Sequence, residues 1–352
     1  MQSPAALGFA QPIETDPHEA TWVAWPADAE LWRENLPAAQ AGFVQLCRGI
    51  ADVDPSSGRA RGETLYVLVP SAAHRADAER ALAGLPLRFF EIPYGDIWLR
   101  DIAPIFLTNA EGRRAAAVFR FNGWGGKYVL EHDDAVAARV ATAMSDLPCF
   151  TAPFVLEGGS VDVDGQGTVL TTAQCLLNPN RNPGRDKAQI ERDLRDWLGA
   201  EKTLWITEGL LNDHTDGHID TIARFVRPGL VATMEPTGAD DPNRGVLEQI
   251  ARELGAMTDA RGRKLEVVRI PSPGAVLDES GKIMPASYVN YYLSNTSVIV
   301  PQYGVANDAR ALVAIAALHP ERHAVGAEAK AILSGGGAFH CITQQLPKGG
   351  AR

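Results

Sequence analysis

Short apolar runs of strand length alternate with amphipathic stretches along most of this chain, and the spacing of apolar residues changes with them. Thr64 to Pro70 (TLYVLVP) is almost continuously apolar, which predicts a buried strand. In the segment that follows, HRADAERALAGL, residues Ala78, Ala81, Leu82 and Leu85 fall at i, i+3, i+4 and i+7. That spacing predicts a helix with one inward face, and Gly84 marks its end. LRFFEIP then predicts another strand. The same helix-to-strand order recurs as IERDLRDWLG and KTLWIT, as VLEQIARELG and KLEVVRIP, and as DARALVAIAALHP followed by a segment near HAVGAEA. Such alternation predicts an α/β fold.

The recurrence reads as an internal repeat even though no residue string repeats. Unusual residues collect in the loops between units: Asp96 to Pro104 (DIWLRDIAP), Leu156 to Gly165 (LEGGSVDVDG), Asn212 to Asp220 (NDHTDGHID) and Ser334 to Cys341 (SGGGAFHC). A fifth loop is expected between KLEVVRIP and MPASYVNYYLSN. From Asp101 to Glu157 is 56 residues, from Glu157 to His218 is 61, and from His218 to Cys341 is 123, close to two periods. Five ββα-type units in a ring would bring these loops to one end of a central axis, because equivalent loops of repeated units share a face. With no Ser/Gly/Pro-rich linker to divide it, the chain reads as one domain over residues 1–352, with short flexible ends at about 1–12 and 347–352.

Composition narrows the setting. The 352 residues are 45% hydrophobic and 22% charged, without acidic or basic blocks. No window approaches the roughly 18 apolar residues of a membrane span, and MQSPAALGFAQPIE lacks the features of a secretory signal. The formal charge of −10 offers no footprint for nucleic acid and suits a cationic small molecule. The four cysteines are widely separated with no CxxC pair. In a chain of this length that predicts reduced thiols and a cytoplasmic setting. A homodimer is the default assembly of soluble enzymes, and the sequence adds nothing to that default.

Four residues at equivalent points of the repeat could do chemistry. Cys341 follows Gly335, Gly336 and Gly337, where the lack of side chains lets backbone approach a ligand. The other cysteines have no such setting: Cys47 lies in a helical pattern, and Cys149 and Cys175 in apolar strand-like runs. His214 and His218 are four apart with Asp216 and Asp220 alongside, but Thr215-Asp216-Gly217 reads as a turn and IDTIARFV as the strand after it. In a strand His218 and Asp220 point the same way. No third soft ligand stands at metal spacing, so no metal site is expected. Asp101 adjoins Arg100, which alone would be a surface ion pair, and Glu157 alone would be a turn residue. His340 adjoins Cys341, but in an extended segment neighbouring side chains face opposite ways.

A thiol peptidase needs a Cys and a His but not several acids facing its substrate. A planar guanidinium does need them, because its five N–H donors form a fixed fork that carboxylates match. Asp101 and Asp220 could hold such a cation in plane while the Cys341 thiolate attacks its central carbon. His218 could protonate departing ammonia and then activate water, with Glu157 orienting the imidazole.

Beyond this reading, RD-x-x-P, FNGWGGKY, EGGS-x-D-V-D-G-x-GT, LNPNRNP, TDGHID and GGG-x-x-HCITQQ together resemble the agmatine deiminase family, which includes the bacterial peptidylarginine deiminases. HEATWVAWP (His18 to Pro26) is similar to that family's N-terminal strand, so the resemblance runs from about His18 to Gln345. It implies a five-bladed α/β propeller of the guanidino-group-modifying superfamily, with no cofactor and a metal-free hydrolysis through a covalent amidino-cysteine. It also implies Cys341 as nucleophile, His218 as acid/base, Asp101 and Asp220 as guanidinium-binding acids, and Glu157 beside the histidine. Asn290 matches a position in the fifth unit, Trp98 a pocket wall, and Gly336 and Gly337 the surface facing the substrate. The implied reaction converts agmatine to N-carbamoylputrescine and ammonia, in a cytoplasmic enzyme of polyamine biosynthesis. Free or peptidyl arginine is the rival substrate, with Arg181 and Lys127 available for a carboxylate. A cation-binding propeller without turnover and a metal hydrolase are the rival functions. Two positions depart from the family pattern: Ala103 stands where glycine is usual, and Ala338 where asparagine is usual.

Overall fold

The computed structural model describes residues 2–350; Met1, Ala351 and Arg352 lie outside the described residues. Its strands form five small sheets that share one connection pattern. In the first sheet β1 (His18–Ala24) runs parallel to β2 (Thr64–Val69), and β2 parallel to β3 (Leu87–Glu91). In the second, β4 (Ile105–Thr108) and β5 (Arg114–Arg120) form an antiparallel pair, and β6 (Cys149–Val155) adds parallel to β5. The third repeats this with β7 (Val161–Val163), β8 (Thr168–Thr172) and β9 (Lys202–Ile206). The fourth does so with β10 (Ala223–Arg227), β11 (Leu230–Glu235) and β12 (Glu266–Pro271). The fifth uses β13 (Tyr292–Leu293), β14 (Ser297–Gln302) and β15 (His323–Glu328). Last, β16 (Thr343–Pro347) returns to pair antiparallel with β1, giving the first sheet the order β16-β1-β2-β3.

A parallel pair needs a crossover, and a helix supplies it each time. Leu36–Ala51, Asp133–Ala143, Lys187–Leu198, Arg244–Ala256 and Asp308–Leu318 each make one such crossover in the five sheets, and Ala72–Ala81 makes the second crossover of the first sheet, from β2 to β3. The Lys187–Leu198 helix shows how sequence sets such an element. Asp186 and Gln189 form a reciprocal capping box at its start, and Gly199 at φ 74° closes it. Between these caps Ile190, Leu194 and Leu198 recur every fourth residue and are buried. The helix expected at 74–85 runs from Ala72 to Ala81, with Ala78 and Leu82 buried and Ala81 and Leu85 partly so.

The strands are apolar because helices or neighbouring sheets cover them. Leu65–Val69 and Thr168–Thr172 are buried throughout. One large apolar cluster includes residues of all five sheets, and a smaller one gathers Phe9, Ile105, Leu107, Val169, Leu194 and their neighbours. The ends expected to be flexible are packed where they are described. Phe9 is buried, Ala10 and Thr108 exchange backbone hydrogen bonds, and the Gly350 N–H donates to the Gly112 carbonyl.

This architecture places the chemistry. Asp101, Glu157, Asp220, Asn290 and Cys341 each lie two to four residues before the opening strand of a sheet, namely β4, β7, β10, β13 and β16. The expected loop positions are therefore equivalent in the fold.

Candidate active site

A cavity of about 360 Å³ is lined by Trp32, Asp96, Trp98, Asp101, Trp124 and Cys341, among others, with Arg33, Glu34 and His214 also on its wall. Cys341 is 6% exposed and stands in a turn rather than the extended segment expected, as the Thr343 N–H donates to the His340 carbonyl at 3.2 Å. Its Sγ lies 3.2 Å from Asn290 Nδ2 and 3.7 Å from Asp220 Oδ2. The Arg100 N–H fixes the Cys341 carbonyl at 3.1 Å.

The glycines do the spatial work expected of them, though in a turn and not in a strand. A Cβ on Gly337 would stand 2.9 Å from Cys341 Sγ and 2.8 Å from the Trp98 ring. Gly336 has φ 116°, a backbone state open to glycine, and a Cβ there would stand 2.6 Å from His214 Nδ1. A glycine outside the expected set matters as much. A Cβ on Gly159 would approach His218 Nδ1 to 2.6 Å, Asp101 Oδ1 to 2.9 Å and Asp220 Oδ2 to 3.0 Å. Gly159 therefore marks the point where three of the expected residues converge.

Asp101 is held by the Gly159 N–H at 2.9 Å and by Trp124 Nε1 at 2.8 Å. Burial raises its pKa, and the carboxylates of Asp220 and Glu157 act in the same direction against His218. Asp220 Oδ2 is met by His340 Nδ1 at 2.7 Å, while its Oδ1 has no partner. Burial opposes ionisation of Asp220, but His340 and His218 outweigh it and lower the pKa. His218 and Asp220 share this place without the strand expected for them, since Ile219–Thr221 is a 3₁₀ turn and β10 begins only at Ala223.

His218 is fully buried, and neither ring nitrogen has a hydrogen-bond partner. Asp101 Oδ2 lies 3.7 Å from its Nδ1 and Glu157 Oε2 lies 3.9 Å from its Nε2. Burial disfavours the imidazolium, yet Asp101 foremost, then the Cys175 thiol and Glu157, raise its pKa well above the usual histidine range. Glu157 is pinned through Oε1 by Arg181 Nε at 2.7 Å, both side chains being fully buried. Burial would raise the Glu157 pKa, but His218 and Arg181 together hold it below the usual range. Burial, then Asp220 and Asp101, push the Cys341 thiol well above its ordinary pKa.

Several neighbours differ from the sequence reading. Arg100 is buried and does not pair with Asp101; it donates to Gln344, Gln345 and the His340 carbonyl and lies 3.5 Å from Glu14. Arg181 also binds Asp216 and the Thr215 carbonyl, and Lys127 pairs with Asp216 at 2.8 Å. The two cations considered for a substrate carboxylate are thus engaged within the protein. Cys175 lies in a short helix, Ala173–Leu176, and its thiol, His218 and Glu157 each put a donor atom within 4.8 Å of the other two. No local signal marked it. His340 spans Asp220 and Glu14, with its Nε2 2.7 Å from Glu14 Oε2.

The Porphyromonas-type peptidyl-arginine deiminase family model matches residues 10–347. The chain belongs to this family. It is 37% identical to the agmatine deiminase of Pseudomonas aeruginosa, over 98% of this chain and 97% of that protein. The solved agmatine deiminase of Enterococcus faecalis superposes with a TM-score of 0.90 at 34% identity, covering 99% and 98% of the two chains. That of Campylobacter jejuni does so with a TM-score of 0.82 at 26% identity, covering 97% of each. The chain has a buried thiol and a buried carboxylate, Cys341 and Asp101, on the cavity wall, with a buried imidazole and two more buried carboxylates, His218, Glu157 and Asp220, packed beside them. Among the described residues, no helix is long and apolar enough to cross a membrane.

Proposed function

We propose that this chain hydrolyses agmatine to N-carbamoylputrescine and ammonia, with Cys341 as the nucleophile. The observation that carries the reading is that the carboxylates packed around Cys341 and Gly159 are one cation short. Glu157 has Arg181, but Asp220 Oδ1 is unpartnered, and Asp101 is met by neutral donors and a histidine still 3.7 Å away. A guanidinium supplies the missing charge with N–H groups in a plane, and Asp101 and Asp220 hold it there. Trp98 and Trp124 wall the cavity beside its methylene tail.

The bound cation also prepares the thiol. Burial and two carboxylates hold Cys341 protonated in the free protein, and a guanidinium between those carboxylates offsets them. The thiol gives its proton to solvent as the cation binds, and the thiolate attacks the guanidinium carbon, forming an S–C bond and a tetrahedral adduct. His218 gives a proton to the leaving nitrogen, the C–N bond breaks and ammonia departs, leaving an amidino-cysteine. His218 takes a proton from water as its oxygen adds to the same carbon, and the S–C bond breaks to release the urea product and the thiol. Glu157 holds the imidazole between these steps, and Asn290 positions the sulfur. Each step uses a side chain, so the route calls for no cofactor.

In this reading the five sheets are blades around one axis, the chain is one domain, and it works as a cytoplasmic enzyme with a homodimer as its default assembly. The burial of Arg181 and the Lys127–Asp216 pair favour a substrate without a carboxylate. Arg33 on the cavity wall supports a second reading, in which free or peptidyl arginine is the substrate. Ammonia release from agmatine, arginine and an arginine peptide, with Cys341→Ala as control, tests the proposal. Preferential turnover of agmatine that the variant lacks is expected. Preference for arginine would install the second reading, and equal turnover by the variant would overturn the covalent route.

A further inference from the structure

Cys175 has no part in that reaction, yet its setting is that of a ligand. Glu157, Cys175 and His218 are all fully buried, and one donor atom from each lies within 4.8 Å of the other two. Arg181 takes Glu157 Oε1, so Glu157 Oε2 faces His218, and the imidazole has this carboxylate, Asp101 and the Cys175 thiol close to its nitrogens, none within a well-formed hydrogen bond. The backbone of Cys175 is anchored to the His218 loop. The Thr172 hydroxyl accepts from the Cys175 N–H at 3.2 Å and donates to the Gly217 carbonyl at 2.7 Å, tying the cysteine's helix to the loop that carries His218. Sulfur, imidazole nitrogen and carboxylate oxygen are the donors zinc prefers. Its bonds of about 2.0–2.3 Å place tetrahedral ligands roughly 3.4–3.7 Å apart. His218 Nε2 and Glu157 Oε2 already stand at 3.9 Å.

We propose that Glu157, Cys175 and His218 form a binding site for Zn2+, and that a metal bound there switches the enzyme off by withdrawing His218 and Glu157 from the reaction. Binding forms bonds to the Cys175 sulfur, a His218 ring nitrogen and Glu157 Oε2 and displaces the thiol proton to solvent; nothing is oxidised or reduced. The site differs from a zinc trapped on the nucleophile because Cys341 is not among its ligands. Only the inhibitory consequence rests on the proposed reaction; occupancy stands independently of it.

The test uses the full chain freed of metal by a chelator, with Co2+ as an absorbing probe and Zn2+ as competitor. Wild type should bind one Co2+ with a near-ultraviolet thiolate charge-transfer band, and Zn2+ should abolish that band. Cys341→Ala should keep the band, whereas Cys175→Ala should lose it and bind Zn2+ at least about tenfold more weakly. If Cys175→Ala fails to fold, Cys175→Ser is judged by the same band. Zn2+ should stop ammonia release by wild type at the occupancy the band reports, and a chelator should restore it. A band lost in Cys341→Ala but kept in the Cys175 variant would overturn the assignment, as would a wild-type protein that binds neither ion. Because occupancy is read optically, a failure to turn over agmatine would leave the binding result intact.

Discussion

Two buried histidines stand on either side of this site, each between two carboxylates, and they differ by about one ångström. His340 touches Asp220 and Glu14 at 2.7 Å each, so both its nitrogens are bonded. His218 stands 3.7 Å from Asp101 and 3.9 Å from Glu157, and neither nitrogen is bonded. A buried polar group left unpaired costs on the order of 1–3 kcal/mol. The His340 arrangement is how a fold normally satisfies such a ring. The His218 arrangement persists because Arg181 holds Glu157, and the Gly159 N–H with Trp124 holds Asp101, away from the ring, which leaves its two nitrogens without a firm partner. The paired imidazole has both nitrogens committed to the structure, and the unpaired one is the ring that the proposed reaction uses.

The proposed nucleophile bounds the comparison. Cys341→Ala should lower turnover by at least about four orders of magnitude with an unchanged fold, measured as ammonia release and by circular dichroism. Residual turnover near the wild-type rate would remove the thiol from the mechanism. For the unpaired histidine, His218→Asn should cost about 10²- to 10⁴-fold in kcat while the melting temperature moves by less than about 2 °C. A large fall in melting temperature would mean that this ring is structural after all.

His340→Ala should show the reverse balance. It breaks a buried pair on both sides, so unfolding should become easier by about 3–5 kcal/mol in a denaturant titration, with turnover falling only about tenfold. A stable variant that is inactive would place His340 among the reacting groups. A smaller effect concerns pH. Burial and two carboxylates keep the Cys341 thiol protonated beyond the ordinary thiol range, so its reactivity toward neutral iodoacetamide should rise with pH and still be climbing above about pH 9. A cationic haloacetamidine offsets those carboxylates. Its inactivation rate should level off at lower pH and exceed that of iodoacetamide at least about tenfold near neutrality. Superimposable pH profiles would show that no cation sits between Asp101 and Asp220.

The parts that local pattern controls were legible in the chain. Helices such as Lys187–Leu198 and strands such as Thr64–Val69 follow from apolar spacing and caps, and the loop spacing placed Asp101, Glu157 and Cys341 at equivalent points, with Asp220 rather than His218 at the matching point of the fourth unit. The turns at Cys341 and at Ile219–Thr221 were read as extended because distant groups shape them. Asn290, for example, accepts from the His340 N–H across 50 residues. For the same reason Arg100 read as a surface charge although Gln344 and Gln345 bury it. Gly159 and Cys175 carry no sequence signal, because their meaning lies in which side chains the fold sets against them.

The pairing of β16 with β1 has a consequence during synthesis. β1 finds β2 on one edge within the first 69 residues, but its other edge waits for residues 343–347. At roughly 5–20 residues per second the ribosome leaves that edge bare for about 15–65 s. An unpaired strand edge is a template for wrong partners. By the same delay the thiol at position 341 is made 121 residues after Asp220, so under the proposed reaction no fragment that stops short of it turns over substrate.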